Sequence, residues 1–192
     1  MNESLIYIFS VSGGTGGLSI VDKSFSNEVI EEEFIDSCSF NKVKFINCCF
    51  KESEFLGVIF NECKFYNCAF ENTLIRKSDF SDCKLVNCRF IESRLCPRVE
   101  FFRSLFLDCK FLKVDLNNSL WVDCKFIKLI FTDVSLELTI LVNLTAKKNI
   151  FNNLKFDKDY PLMIFKSKKA FSLGKCTTVI NPFNLEKEIQ SD

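Results

Sequence analysis

A large apolar residue stands at every fifth position through the middle of this chain. From residue 40 to 95 these are Phe40, Phe45, Phe50, Phe55, Phe60, Phe65, Phe70, Ile75, Phe80, Leu85, Phe90 and Leu95. Two places before each stands a small residue, usually Cys, Ser, Val or Thr. A period of five is neither the 3.6 of an α-helix nor the 2 of a flat strand. The pattern therefore excludes an ordinary globular fold and indicates a repeat architecture.

A longer period shows how the five-residue units are arranged. The segment 44–50 (KFINCCF) returns at 64–70 (KFYNCAF) and again at 84–90 (KLVNCRF). Twenty residues make four units, so each coil has four sides and equivalent side chains lie above one another. In each unit we expect one large and one small residue to point inward before the chain turns a corner.

These units resemble the pentapeptide repeat family, and the resemblance spans about residues 30–145. It implies an all-β fold, a right-handed quadrilateral parallel β-helix. With coils spaced by about 4.8 Å, we expect about six coils and a rod roughly 30 Å long.

The five-residue repeat is interrupted once. After Leu95 the next large residues are Phe101, Phe106, Phe111, Leu116, Trp121, Phe126, Phe131, Leu136 and Leu141. One extra residue has entered at 96–100, where Pro97 lacks the N–H that a strand ladder needs.

Three segments follow from these patterns. Residues 1–27 are expected to form an N-terminal β-hairpin cap, with strands at 5–9 and 18–21 and a glycine-rich turn between them. Residues 28–156 form the β-helix, and residues 157–192 form a C-terminal cap or a strap along the rod. Caps are expected because an open coil end exposes an unpaired ladder.

The cysteines are interpreted as reduced core residues. Eight of the eleven stand at the small inward position, and free Cys packs as a small hydrophobe. A packed interior leaves no room for thiolates to converge on a metal, so we predict no metal site and no disulfide scaffold. The thiols favour a reducing compartment, and without a signal-peptide pattern or membrane span we expect a cytoplasmic protein.

The amino-acid composition does not favour an enzyme. The chain has no His, which removes the commonest general base and the commonest metal ligand. We therefore predict neither catalytic nor cofactor-binding residues, and a protein that is not an enzyme.

One outward column is apolar where the family normally carries polar residues. It comprises Ile46, Tyr66, Val86, Leu107 and Ile127. Beside it stand Lys44, Lys64 and Lys84, and the adjoining side adds Phe102 and Val122. Such a patch exceeds what soluble monomers usually expose. Two interpretations remain open: a terminal segment covers the column, or the column is an interface for a homodimer or another protein.

The sequence thus favours a rigid protein-interaction scaffold with an unidentified partner. The resemblance implies one alternative, a DNA mimic that protects DNA gyrase or topoisomerase IV from quinolones or toxins. Such mimicry requires a negative rod, whereas 25 acidic and 25 basic residues cancel here. A neutral chain also lacks the basic footprint of direct nucleic-acid binding.

Overall fold

The protein is a parallel β-helix with four faces. The computed structural model describes residues 4–11 and 15–155 and the backbone of residues 163–165. Its strands form sheets of eight, seven, seven and four members, so the rod has about seven coils. The predicted fold class is confirmed, and the rod is about one coil longer than predicted.

Each coil contributes one strand to each face, and the faces are named A to D in chain order. Face A contains β1 Ser19–Val21, β5 Ser39–Asn41, β9 Ile59–Asn61, β13 Asp79–Ser81, β17 Glu100–Phe102, β20 Leu120–Val122, β23 Ile140–Val142 and β26 Met163–Phe165. Face B contains β2 Ser24–Ser26, β6 Lys44–Ile46, β10 Lys64–Tyr66, β14 Lys84–Val86, β18 Leu105–Leu107, β21 Lys125–Ile127 and β24 Thr145–Lys147.

The other two faces complete the coil. Face C contains β3 Val29–Glu31, β7 Cys49–Lys51, β11 Ala69–Glu71, β15 Arg89–Ile91, β19 Lys110–Leu112, β22 Ile130–Thr132 and β25 Ile150–Asn152. Face D contains β4 Phe34–Asp36, β8 Glu54–Leu56, β12 Leu74–Arg76 and β16 Arg94–Leu95, and isolated bridges at Asp115, Ser135 and Lys155 extend it.

Strand pairing follows the predicted twenty-residue spacing. Phe65 pairs with Phe45 on one side and with Leu85 on the other. Across the interruption the spacing is twenty-one, as Phe80 pairs with Phe101, and beyond it the spacing returns to twenty, as Phe101 pairs with Trp121. The register slip is confirmed; its corner contains a cis Cys96–Pro97 peptide bond.

The large inward residues fill the rod as stacked columns. On face C, Phe70, Phe90, Phe111 and Phe131 form consecutive pairs with centroids 4.7 Å apart and rings within 4° of parallel. All four rings are at most 3% exposed. The rings repeat at the spacing of the strands that carry them, so one side-chain conformation packs identically coil after coil.

The small inward residues are buried hydrogen-bond donors. Cys68 Sγ donates to the carbonyl of Phe45 at 3.4 Å, and Ser93 Oγ donates to that of Phe70 at 3.0 Å. Buried carbonyls cost free energy when unpaired. A thiol or a hydroxyl can satisfy the same corner carbonyl, which explains why Cys, Ser and Thr interchange at this position.

The corners use left-handed backbone. At 26 non-glycine positions φ lies between +48° and +58°, and nearly all of them stand two residues after a large inward one. This region costs most residues roughly 1–2 kcal/mol, and Asn tolerates it better than most. Asn fits these corners for that reason, and strand pairing on both sides holds the others there.

The predicted N-terminal hairpin is wrong. Leu5–Val11 is an α-helix, α1, which begins where Tyr7 N donates to Ser4 Oγ at 3.1 Å. A helix places Leu5 and Phe9 on one face, and both are buried against the end of the rod. A strand would point only alternate residues of this apolar run at the core, so the helix is the better cap.

The second predicted hairpin strand belongs to the β-helix. Ser19–Val21 pairs in parallel with Ser39–Asn41 and opens the first coil. The repeat pattern predicts the β-helix only from residue 28, so the first half of this coil, where Lys23 occupies the small position, was not predicted. Among the described residues no further coil lies beneath this one, and Glu28 Oε2, at another of its small positions, accepts the Leu5 N–H at 2.8 Å.

At the other end, β26 extends face A by pairing with β23. The predicted cap or strap at 157–192 otherwise lies outside the described residues. Its boundary stays a prediction.

Candidate interaction surface

The five residues predicted to form an apolar column do form one. Strands β6, β10, β14, β18 and β21 pair in succession, which aligns Ile46, Tyr66, Val86, Leu107 and Ile127 on face B. All five are half-buried. We name these five residues the apolar column.

The apolar column has sharp ends. Ser26 pairs below Ile46, and Lys147 pairs above Ile127. Four coil spacings separate its first and last members, about 19 Å. The column is therefore a bounded feature of the middle coils and is not a general property of face B.

A row of lysines runs along one side of the apolar column. Lys44, Lys64 and Lys84 pair in register, Leu105 interrupts the row, and Lys125 resumes it. We name these four lysines the lysine row. Lys84 Nζ lies 5.9 Å from the centroid of the Tyr66 ring, a cation–π distance.

Some lysines of the described rod form ion pairs, whereas the lysine row forms none there. Lys113 Nζ lies 2.9 Å from Glu92, Lys128 Nζ lies 3.5 Å from Asp108, and Lys51 pairs with Glu31. Among the described residues, no carboxylate forms an ion pair with the lysine row. Its ammonium groups remain available to a partner.

A shallow groove lies on the far side of the lysine row, at the corner between faces A and B. Its lining mixes charges, with Asp22, Glu62 and Asp82 facing Lys42, Lys44 and Lys64. Arg103 donates two hydrogen bonds to Asp82, at 2.8 and 2.6 Å, and thereby holds the pKa of that carboxyl below its usual range. The groove is electrically balanced.

An amide ladder borders the other side of the apolar column. The side-chain amide of Asn87 donates to Asn67 at 2.9 Å, Asn67 to Asn47 at 3.0 Å, and Asn47 to Asn27 at 3.0 Å. We name these residues the asparagine ladder. Their hydrogen bonds are largely used within the ladder, so this border is polar but neutral.

Phe102 and Val122 lie on the neighbouring face. They form a second, half-buried apolar column with Val142 on face A, through the pairing of β17, β20 and β23. Leu120 and Ile140 add a parallel row on the same face. Leu105, which interrupts the lysine row, continues the apolar surface toward this face.

No described face is acidic along its length. Bases one coil away neutralise many outward acids, as in the ion pairs Lys51–Glu31, Arg76–Glu54, Arg103–Asp82, Lys113–Glu92 and Lys128–Asp108. Negative charge concentrates in the first coil, at Glu28, Glu31, Glu32, Glu33 and Asp36. This distribution does not favour imitation of a DNA duplex, which carries uniform negative charge.

Several of the buried thiols are harder to ionise than a free cysteine. Burial raises the pKa of Cys124 to about 12 and that of Cys96 to about 11. Of the ten described cysteines, Cys49 is the most accessible, and all ten are free thiols. Among the residues that the structure describes, no cluster of His, Cys, Asp or Glu could hold a metal ion.

Comparison with known proteins supports the fold. Residues 33–97 match the model of a pentapeptide repeat region. The chain contains a pentapeptide repeat region. Structurally, the pentapeptide units continue on both sides of that match, from β1 to the bridge at Lys155.

Three solved structures are similar to this pentapeptide repeat chain. QnrB1, a plasmid-mediated fluoroquinolone resistance protein, is 14% identical over 73% of this chain and 92% of its own, with a TM-score of 0.45. Rfr23 from the cyanobacterium Cyanothece 51142 is 9% identical over 76% and 90%, with a TM-score of 0.36. HetL from Nostoc sp. strain PCC 7120 is 10% identical over 81% and 94%, with a TM-score of 0.24.

These likenesses concern architecture and carry no argument on function. No curated protein matches the sequence. Within the described residues, no helix has the length and apolarity needed to cross a bilayer.

Proposed function

We propose that this protein is a non-catalytic scaffold that binds another protein through the apolar column on face B. The observation that supports this proposal is the alignment of five half-buried apolar side chains on face B. They lie between the lysine row, which forms no ion pair with a described residue, and the asparagine ladder, whose amides bond to one another. Apolar surface supplies affinity, and charge at its border supplies specificity.

The scaffold supplies rigidity. The column residues extend from strands that pair above and below, and the inward residues of the same strands are buried, with Phe45 and Phe65 stacked at 4.8 Å. Little conformational entropy is lost when a pre-organised surface binds. A β-helix can therefore hold a recognition surface at fixed spacing without any help from a partner.

The test is the double substitution Tyr66→Asp and Val86→Asp. Both side chains point outward, so the variant keeps its fold, while two carboxylates in the middle of the column prevent apolar contact. We expect the wild-type chain to self-associate or to retain a discrete protein in affinity capture from native extract, and the variant to lose that association.

Leu56→Asp is the matched control. Leu56 is also a half-buried third residue of a strand, but it lies on face D between Asp36 and Arg76. Circular dichroism verifies that all variants keep the β signature. Association that survives the double substitution, or that Leu56→Asp removes equally, refutes the proposal.

A further inference from the structure

We propose that the partner contributes an acidic amphipathic α-helix, which lies along the rod over the apolar column. This inference rests on the proposed function and specifies the chemistry of the ligand. It follows from three features of face B: the spacing of the column, the charge of its borders and the absence of a free strand edge there.

The spacing of the apolar column fits a helix. Successive column residues are about 4.8 Å apart along the rod, and an α-helix advances about 5.4 Å per turn. A tilt of roughly 27° would bring the two spacings into register. The column spans about 19 Å, which about 13 helical residues cover with an apolar residue on each turn.

The lysine row beside the apolar column favours a helix with acidic residues along one edge. Lys44, Lys64 and Lys84 repeat at the same spacing as the column, so carboxylates one helical turn apart can face them in succession. The asparagine ladder on the other side is neutral. The helix therefore needs acids along one edge of its apolar stripe, and the other edge can be polar and uncharged.

An extended peptide is the weaker ligand for this surface. Strands β6, β10, β14, β18 and β21 each pair with a strand above and a strand below. Their backbone groups are used, so no strand can be added at the column in the manner of β-augmentation. Side chains alone must make the contact, as they do when a helix binds a groove.

Nucleic acid and a second copy of this chain fit less well. Asp22, Glu62 and Asp82 stand just beyond the lysine row and would repel a phosphate backbone that spread over it. Two copies related by a two-fold axis across the rods would set one lysine row against the other. Both arrangements bring like charges together.

The experiment uses the full-length protein and three fluorescent synthetic peptides of about 14 residues, the length that covers the column. The first is a helix former with Leu at i, i+3 and i+4 spacing and Glu along one edge. The second replaces each Glu with Lys, and the third scrambles the first. Anisotropy titrations measure affinity at low and at physiological salt.

We expect the acidic helix to bind at least about tenfold more tightly than its lysine counterpart, and salt to weaken its binding. Lys64→Glu should lower the affinity by about tenfold or more. Lys110→Glu is the matched control, because Lys110 is an exposed lysine on face C. Lys64→Ala provides a milder variant, and the near-ultraviolet signal of the single Trp reports whether each variant is folded.

The outcomes separate the two proposals. Equal affinity for the acidic and basic helices, or equal loss with Lys64→Glu and Lys110→Glu, overturns the acidic-helix inference. If Tyr66→Asp with Val86→Asp still abolishes association in that case, the scaffold proposal stands with another ligand. Association of the full chain with itself that the acidic peptide cannot displace identifies a second copy as the ligand and also overturns this inference.

Discussion

The coils before Pro97 and those after it share one core plan and differ on their surface. On face A the outward stations of the earlier coils are mainly polar, as in the pair Asn41–Asn61. In the later coils they include Phe102, Leu105 and Leu120 on faces A and B. The apolar column crosses the boundary between the two halves.

This comparison distinguishes the inward residues, which fold the rod, from the outward residues, which form its surface. The inward stations repeat in both halves, because every coil must pack on the coil below it. The outward stations contact solvent or a partner, so their composition can change without a change of fold. The fold does not require apolar residues at outward stations. Apolar outward columns therefore indicate a function beyond folding.

The largest expected effect contrasts the middle of the core with its end. Phe70→Ala removes a ring stacked on Phe50 and on Phe90, and we expect the free energy of unfolding to fall by about 3–5 kcal/mol. Phe151 is only partly buried and stacks on Phe131 in the last coil. Phe151→Ala should cost less than half as much in urea denaturation. Equal losses would mean that the last coils are packed as tightly as the middle ones.

The next effect contrasts two corners with the same backbone. Asn67 and Lys128 have φ of +55° and +56°, so Gly relieves strain at both sites. Asn67→Gly also removes two ladder hydrogen bonds, and we expect a net loss of about 1 kcal/mol. Lys128→Gly loses only a surface ion pair and should stay within about 0.5 kcal/mol of wild type. Identical changes in chemical denaturation would show that the ladder contributes nothing.

A smaller effect compares the apolar and the polar part of face A. Val122→Lys places a charge in the apolar area of the later coils, whereas Asn61→Lys does so on the polar part of the same face. Both should change stability by no more than about 0.5 kcal/mol, because both side chains point outward. Only Val122→Lys should reduce the fluorescence of a bound hydrophobic dye. A matching decrease with Asn61→Lys would argue against the contrast between the halves.

The smallest effect tests the acidic first coil. Burial raises the pKa of Glu28, while the hydrogen bond from Leu5 N lowers it less. An acid with a raised folded-state pKa favours the fold while it is protonated. That stability is lost as pH rises from the ordinary Glu value of about 4.3 through the folded-state pKa.

Glu28→Gln keeps an acceptor for Leu5 and removes the charge. Its melting temperature should exceed that of wild type at pH 7, and the difference should vanish at pH 3. Glu32→Gln, at an exposed corner of the same coil, is the control. A constant difference across this range would mean that the ionisation of Glu28 does not matter.

The apolar column was predictable from the sequence because its alignment depends on the register of the five-residue repeat. Ile46, Tyr66, Val86, Leu107 and Ile127 could be aligned because the repeat length fixes which residues stack. The first two strands of the rod and helix α1 could not be identified this way. Lys23 breaks the pattern, and an apolar run such as 5–9 is compatible with both strand and helix.

The sequence by itself determined the number of faces, the inward residues and the position of the slip, because a period of five with stacked Phe and Cys permits one arrangement. Only the tertiary structure decided how the lower end is capped, since the cap must match the open cross-section of a finished coil. It also decided which lysines have ion pairs, because such pairing depends on side chains a full coil apart and not on the local period.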